Sequence, residues 1–226
     1  MKPMLFVGLD VHKKTVAVCV KTQDGTVVDE QTLAARRKVL LAWVDTLAQP
    51  WAGAMEATMF TGWIYDLLRP HATVLKVANP LMLRAIAASK KKNDRVDARK
   101  IADALRCDLL PECHMAPQEI RDLRRVLRFR NHLVRHAVKL KNKCAGLLME
   151  CGVDYDKQRL HGRKYFEELL GRLEDVPDSL EPMLRFNRVM LEEFDRAQRR
   201  LLAELSENDL LRERVGRLQT IPGVGR

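Results

Sequence analysis

Residues 4–20 read MLFVGLDVHKKTVAVCV, and the fold is decided there. MLFVGL (4–9) is a short apolar run with the pattern of a buried strand. TVAVCV (15–20) is β-branched and continues as a second strand. Just beyond, TQDGT places Asp24-Gly25, the strongest short-range hairpin signal, before TVVDEQTL, so that segment is the expected return strand.

The punctuation continues downstream. RRKVLLAWVDTLAQ (36–49) predicts a helix ended by Pro50, and WAGAMEA (51–57) a strand closing on Glu56. FTGWIYDLLR (60–69) predicts a helix stopped by Pro70, and ATVLKVA (72–78) a further strand. NPLMLRAIAAS (79–89) opens a helix with Asn79 as N-cap and Pro80 at the first position. Strands first in hairpins, then alternating with helices, define an α/β chain. The expected core is a mixed sheet of about five strands with helices on its faces.

From Pro117 strand signals vanish and helical patterns run to about residue 219. At 100° per residue, Arg121, Arg124, Arg125, Arg128, His132, Arg135, His136, Lys139 and Lys143 share about a third of the circumference of a helix over 120–148. Leucines, valines and alanines cover the other side, with Arg130 and Lys141 as exceptions. A second helix over about 179–207 carries a seam of Leu184, Leu191, Phe194, Leu201 and Leu205, interrupted by Asn187 and Gln198. The two helices predict a hairpin, coiled-coil-like and dimerising.

The 226 residues hold 40 Lys and Arg against 30 Asp and Glu, a net charge of +10. That excess points to a polyanionic partner. It is local: between Arg84 and Lys143 there are 17 basic residues and 7 acidic ones, a difference that equals the net charge of the chain. A solvated helix face normally mixes signs, yet Asp122 is the one acid in 121–143. Guanidinium groups pair bidentately with phosphate, so the stripe reads as a nucleic-acid face. No apolar run approaches the ~20 residues that cross a bilayer, and the N-terminal apolar core is too short for a secretory signal. The five cysteines include no CxxC pair. They read as reduced thiols, Cys107 and Cys113 beside His114 included. The expected location is the cytoplasm.

Asp10 and Glu56 each end a strand, and Asp94 and Asp97, three apart, open a helix in SKKKNDRVDA (89–98). Each has a plain reading on its own: a loop-edge acid, or a first-turn acid complementing the helix dipole. As a set they say more. Ligands of open sheets bind at one edge, where gathered carboxylates repel unless a hard cation with oxygen ligands intervenes. Mg²⁺ is the natural ion, with Mn²⁺ as substitute, and two such ions clamp the oxygens of a phosphoryl transfer. Lys90, Lys91, Lys92, Arg95 and Arg99 would then hold the phosphodiester while the aspartates hold the metal. His12 reads as a bystander.

FVGLDVHKKTVAVCV, AMEAT, NDRVDARKIADAL and the closing LQTIPGVGR together resemble the DEDD-type transposases of bacterial insertion sequences, the group of the Piv-like invertases and bridge-RNA-guided recombinases. The resemblance implies a ribonuclease H-like, RuvC-like domain over 1–110 whose metal ligands are Asp10, Glu56, Asp94 and Asp97. It implies a coiled-coil region over 111–217 that oligomerises, as a dimer or tetramer, and binds a structured guide RNA as well as DNA. Residues 218–226 would open a further transposase domain whose serine attacks DNA. Ser89, Ser179 and Ser206 are the serines here, and none falls there, so this chain reads as a part of a longer recombinase. Two other functions fit the same residues: a RuvC-type Mg²⁺-dependent nuclease on branched DNA, and a non-catalytic RNA- or DNA-binding dimer.

Overall fold

β1 (Leu5–Val11) and β2 (Thr15–Lys21) pair antiparallel through a turn in which the His12 amide donates to the Thr15 carbonyl at 2.9 Å. β3 (Val27–Ala34) returns antiparallel to β2 after the Asp24-Gly25 turn, where Gly25 takes φ +95°. That left-handed conformation is one glycine adopts without strain. β4 (Trp51–Glu56) lies parallel to β1, and β5 (Val74–Ala78) parallel to β4. The sheet is therefore mixed and five-stranded, in the order β3-β2-β1-β4-β5, as the alternation of signals predicts. The computed structural model describes residues 4–47, 50–86 and 94–224, leaving out the side chains of residues 84–86, 94, 95 and 210.

Strand periodicity sorts the sheet into two faces. Leu5, Val7, Leu9 and Val11 of β1, with Val16, Val18 and Val20 of β2 and Trp51 and Met55 of β4, pack against α1 (Arg37–Val44) and α2 (Thr61–Leu68). At the centre of the other face the positions are small: Gly8, Ala17, Cys19, Ala52 and Ala54. Over them lies α4 (Asp94–Arg106), through Ala98, Ile101, Ala102 and Leu105. α1 ends at Val44, ahead of the expected stop at Pro50, because Thr46 and Leu47 turn their amides back onto the carbonyls of Trp43 and Val44. α3 (Pro80–Ile86) begins as expected, the Asn79 side chain accepting from the amides of Leu81 and Met82. The expected continuation of that helix to Ser89 lies outside the described residues.

The chain divides into two compact units, Met1–Gln118 and Glu119–Arg226. In the second, α5 (Gln118–Glu150) is 33 residues long, about 50 Å. α6 (Arg163–Leu170), α7 (Leu180–Ser206) and α8 (Asp209–Gln219) follow. Cys144, Leu147 and Leu148 of α5 share a core with Leu180 and Leu184 of α7. Twelve residues back along α5, His136 meets Phe194, ten residues on from Leu184. The two long helices thus run antiparallel, as a hairpin. The Gly- and Asp-bearing connection between them holds a helix: Tyr165, Phe166, Leu169 and Leu170 of α6 complete the same core.

Candidate functional site

The register of the two central strands positions the first two acids. Leu9 faces Met55 across the β1–β4 ladder, and both are fully buried on the α1–α2 face. The next residues, Asp10 and Glu56, therefore lie side by side on the opposite face, on strands ~4.8 Å apart. Glu56 is held at its strand end by its backbone. Its carbonyl accepts from the Thr61 hydroxyl at 2.8 Å, and the same hydroxyl accepts from the Thr58 amide at 2.8 Å.

The helix over that face brings the other pair. Gly8, two residues before Asp10 and on its face, lies beneath Ala98 and Ala102: a Cβ there would collide with the Ala98 carbonyl oxygen and the Ala102 nitrogen. Phe6, two residues further back, packs with the cluster of Ile101 and Leu105. Going back along β1 is going forward along α4, so the helix is antiparallel to the strand. Its first turn, where Asp94 and Asp97 stand, extends toward the end occupied by Asp10 and Glu56. Only the backbone of Asp94 is described, and Lys90, Lys91 and Lys92 and the side chain of Arg95 lie outside the described residues.

Asp10 is a buried carboxylate, 8% exposed. His12, two residues on along the same face, sets Nε2 3.1 Å from its Oδ2. Asp97 is half-buried, with Lys100 Nζ 3.3 Å from Oδ1. Among the described residues no three His, Cys, Asp or Glu side chains form a ready cage for a metal ion. The donor set is all carboxylate oxygen, which suits a hard divalent cation. Lys13 and Lys14 stand exposed in the β1–β2 turn beside Asp10. His12, expected to be a bystander, thus stands against Asp10; Lys13 and Lys14 are not among the expected contacts, although the HKK turn following a strand-end acid is a signal for them.

The basic residues are used in different ways. Arg99 makes a two-pronged ion pair with Glu30 of β3, at 2.5 and 2.6 Å, which ties α4 to the sheet. On α5, Arg125 pairs with Asp122 at 2.8 Å, and Arg121 is half-exposed. Arg124, Arg128, Arg135, Lys139 and Lys143 are exposed, and none is in an ion pair among the described residues. The cysteines are free thiols, with Cys19 and Cys144 buried; burial pushes both thiols up from their ordinary range.

The DEDD-type transposase family of the IS110 group matches residues 7–152. That is more than half of the chain, and the protein belongs to this transposase family. The chain is also similar to the transposase for insertion sequence element IS1111A of Coxiella burnetii (strain RSA 493 / Nine Mile phase I). The two are 28% identical over 233 aligned positions, which cover 100% of this chain and 61% of the relative. The chain thus spans about three-fifths of the length of that curated relative. Among the described residues no helix is long and apolar enough to cross a membrane.

Proposed function

We propose that this chain is the metal- and nucleic-acid-binding portion of an insertion-sequence transposase, built on a ribonuclease H-like sheet followed by a coiled-coil hairpin. The observation that carries the reading is the β1–β4 register, which sets Asp10 beside Glu56 on the face covered by α4. Asp10, Glu56, Asp94 and Asp97 would hold Mg²⁺, or Mn²⁺ in its place. Bound there, the ions would supply charge neutralisation at a DNA phosphate under attack. The protein's own part is to fix the carboxylates. The strand ladder holds two of them, and the small residues Gly8, Ala98 and Ala102 let α4 come close enough to bring the first-turn aspartates to the same edge. Lys13 and Lys14 are placed to attract the phosphodiester. α5 supplies phosphate contacts through Arg124, Arg128, Arg135, Lys139 and Lys143, with DNA and a structured guide RNA as partners, and the helical unit joins copies of the chain.

Titration calorimetry with Mn²⁺ and Mg²⁺ tests the acid set directly. Wild-type protein is expected to bind both. Asp10→Asn and Glu56→Gln are each expected to lose at least tenfold in affinity while circular dichroism stays unchanged. Equal affinity in wild type and either variant would remove these residues from the metal site.

A further inference from the structure

Along the border between the cationic arc of α5 and the seam it shares with α7 runs a row of rings. Phe129 and His132 lie 6.2 Å apart between centroids and within 21° of parallel, and His132 and His136 lie 4.3 Å apart. His136 then meets Phe194 of α7 edge-on at 6.3 Å. The spacing 129, 132, 136 keeps the three α5 rings on one strip of the helix. The inner end is anchored in the hairpin, while the outer end faces water: Phe129 is 55% exposed and His132 is exposed too. An exposed phenyl gains nothing from burial in the hairpin core. Its ring instead lies in an offset stack on His132.

We propose that the outer end of this ladder, Phe129 and His132, is a stacking platform for unpaired bases of an RNA loop, whose phosphates follow Arg128, Arg135 and Lys139. The inference rests on the reading of α5 as a nucleic-acid face and adds the state of the nucleic acid bound there. Exposed cations beside the ladder select a polyanion. Rings select bases whose faces are open, because duplex bases already cover one another, whereas loops splay theirs onto aromatic side chains. Folded RNA offers such bases in its loops, bulges and ends, whereas duplex DNA keeps its bases stacked, which favours RNA over duplex DNA as the partner.

The test is fluorescence anisotropy on the 226-residue chain with three probes: a single-stranded RNA, the single-stranded DNA of the same sequence, and an RNA duplex. Phe129→Ala is expected to weaken single-stranded RNA binding by roughly five- to a hundredfold, the range for one lost base stack. Duplex affinity and the slope against salt are expected to stay unchanged, and Phe129→Tyr to restore binding. Equal loss on duplex and single strand, or no loss, overturns the platform. Equal loss on single-stranded DNA overturns the assignment to RNA. A lower sedimentation mass in Phe129→Ala without RNA-specific loss assigns the ring to a contact between copies instead. Failure of the wild-type chain to bind any probe removes the α5 reading itself, a result distinct from all of these.

Discussion

Gly8 occupies a position that no other residue type fits. Its missing side chain lets the backbone of α4 rest on β1, and an added Cβ would strike main-chain atoms of Ala98 and Ala102, which cannot swing aside. Gly53 makes a useful contrast, since the nearest atoms a Cβ there would meet belong to side chains, the Trp51 ring and the Leu75 Cδ1, rather than to backbone. Gly8→Ala is therefore expected to destabilise the sheet unit by about 3 kcal/mol and Gly53→Ala by about 1 kcal/mol. Trp43, Trp51 and Trp63 all belong to that unit, so their fluorescence in urea reads the difference; equal midpoints would deny the close approach. His161 offers a pH-dependent case. Burial pushes its imidazole below the ordinary value of 6.5, and Lys141 and Arg188 add to the effect. With the folded value under the unfolded one, the stabilisation is complete above about pH 6.5 and is lost as pH falls through the window below it. Melting midpoints of the helical unit should fall from pH 7 to 5, and fall less in His161→Asn. Residue-scale legibility was uneven for a physical reason. Asp10 and Glu56 announced themselves as acids closing apolar runs, whereas the need for glycine at position 8 arises from a helix ninety residues away.

At the scale of elements, the strands and the two long helices were readable because each has its own period, and α5 and α7 lie within two residues of the expected ends. α6 was not, since eight residues are too few for periodicity to outweigh the surrounding Gly and Asp. Asn187 interrupts the apolar seam that the sequence predicts for α7. It is buried, but its amide donates to the Met183 carbonyl one turn back at 3.0 Å, so its own helix satisfies it. One of the contacts that dock α4 is a pair that sequence spacing does not reveal. Lys21 Nζ of β2 lies 2.5 Å from Asp103 Oδ2, with side-chain exposures of 9% and 44%. The asymmetry matters more than the pair. Removing the carboxylate by Asp103→Ala strands a buried ammonium, at a cost of about 3 kcal/mol. Lys21→Met fills the same space with an apolar chain and leaves a half-exposed carboxylate that keeps Arg106, 3.4 Å away; about 1 kcal/mol is expected. Equal losses in the tryptophan-monitored unfolding of the two variants would mean that Lys21 is better hydrated than its burial indicates.

Over the whole molecule both units are basic, and what differs is where the charges stand. The sheet unit sets Asp10 beside Glu56 on the face under α4, and α5 presents cations along about 35 Å of helix between Arg121 and Lys143, with Asp122 as the one acid in that stretch. A polyanion held by such a surface releases counterions on binding, so its affinity falls steeply as salt rises. Reversal of Arg124, Arg128 and Arg135 to Glu removes three exposed cations spread over three turns. None of the three is in an ion pair among the described residues, so little folded-state stability should change. The triple variant is expected to bind nucleic acid more weakly at every salt concentration. The slope of log affinity against log salt should become shallower by about three for duplex DNA. Mn²⁺ affinity at the sheet edge should stay at its wild-type value, because the acids sit in the other unit. An unchanged salt slope would leave the stripe as a hydrated surface, and the polyanion would then have to be held by the lysines of the sheet unit.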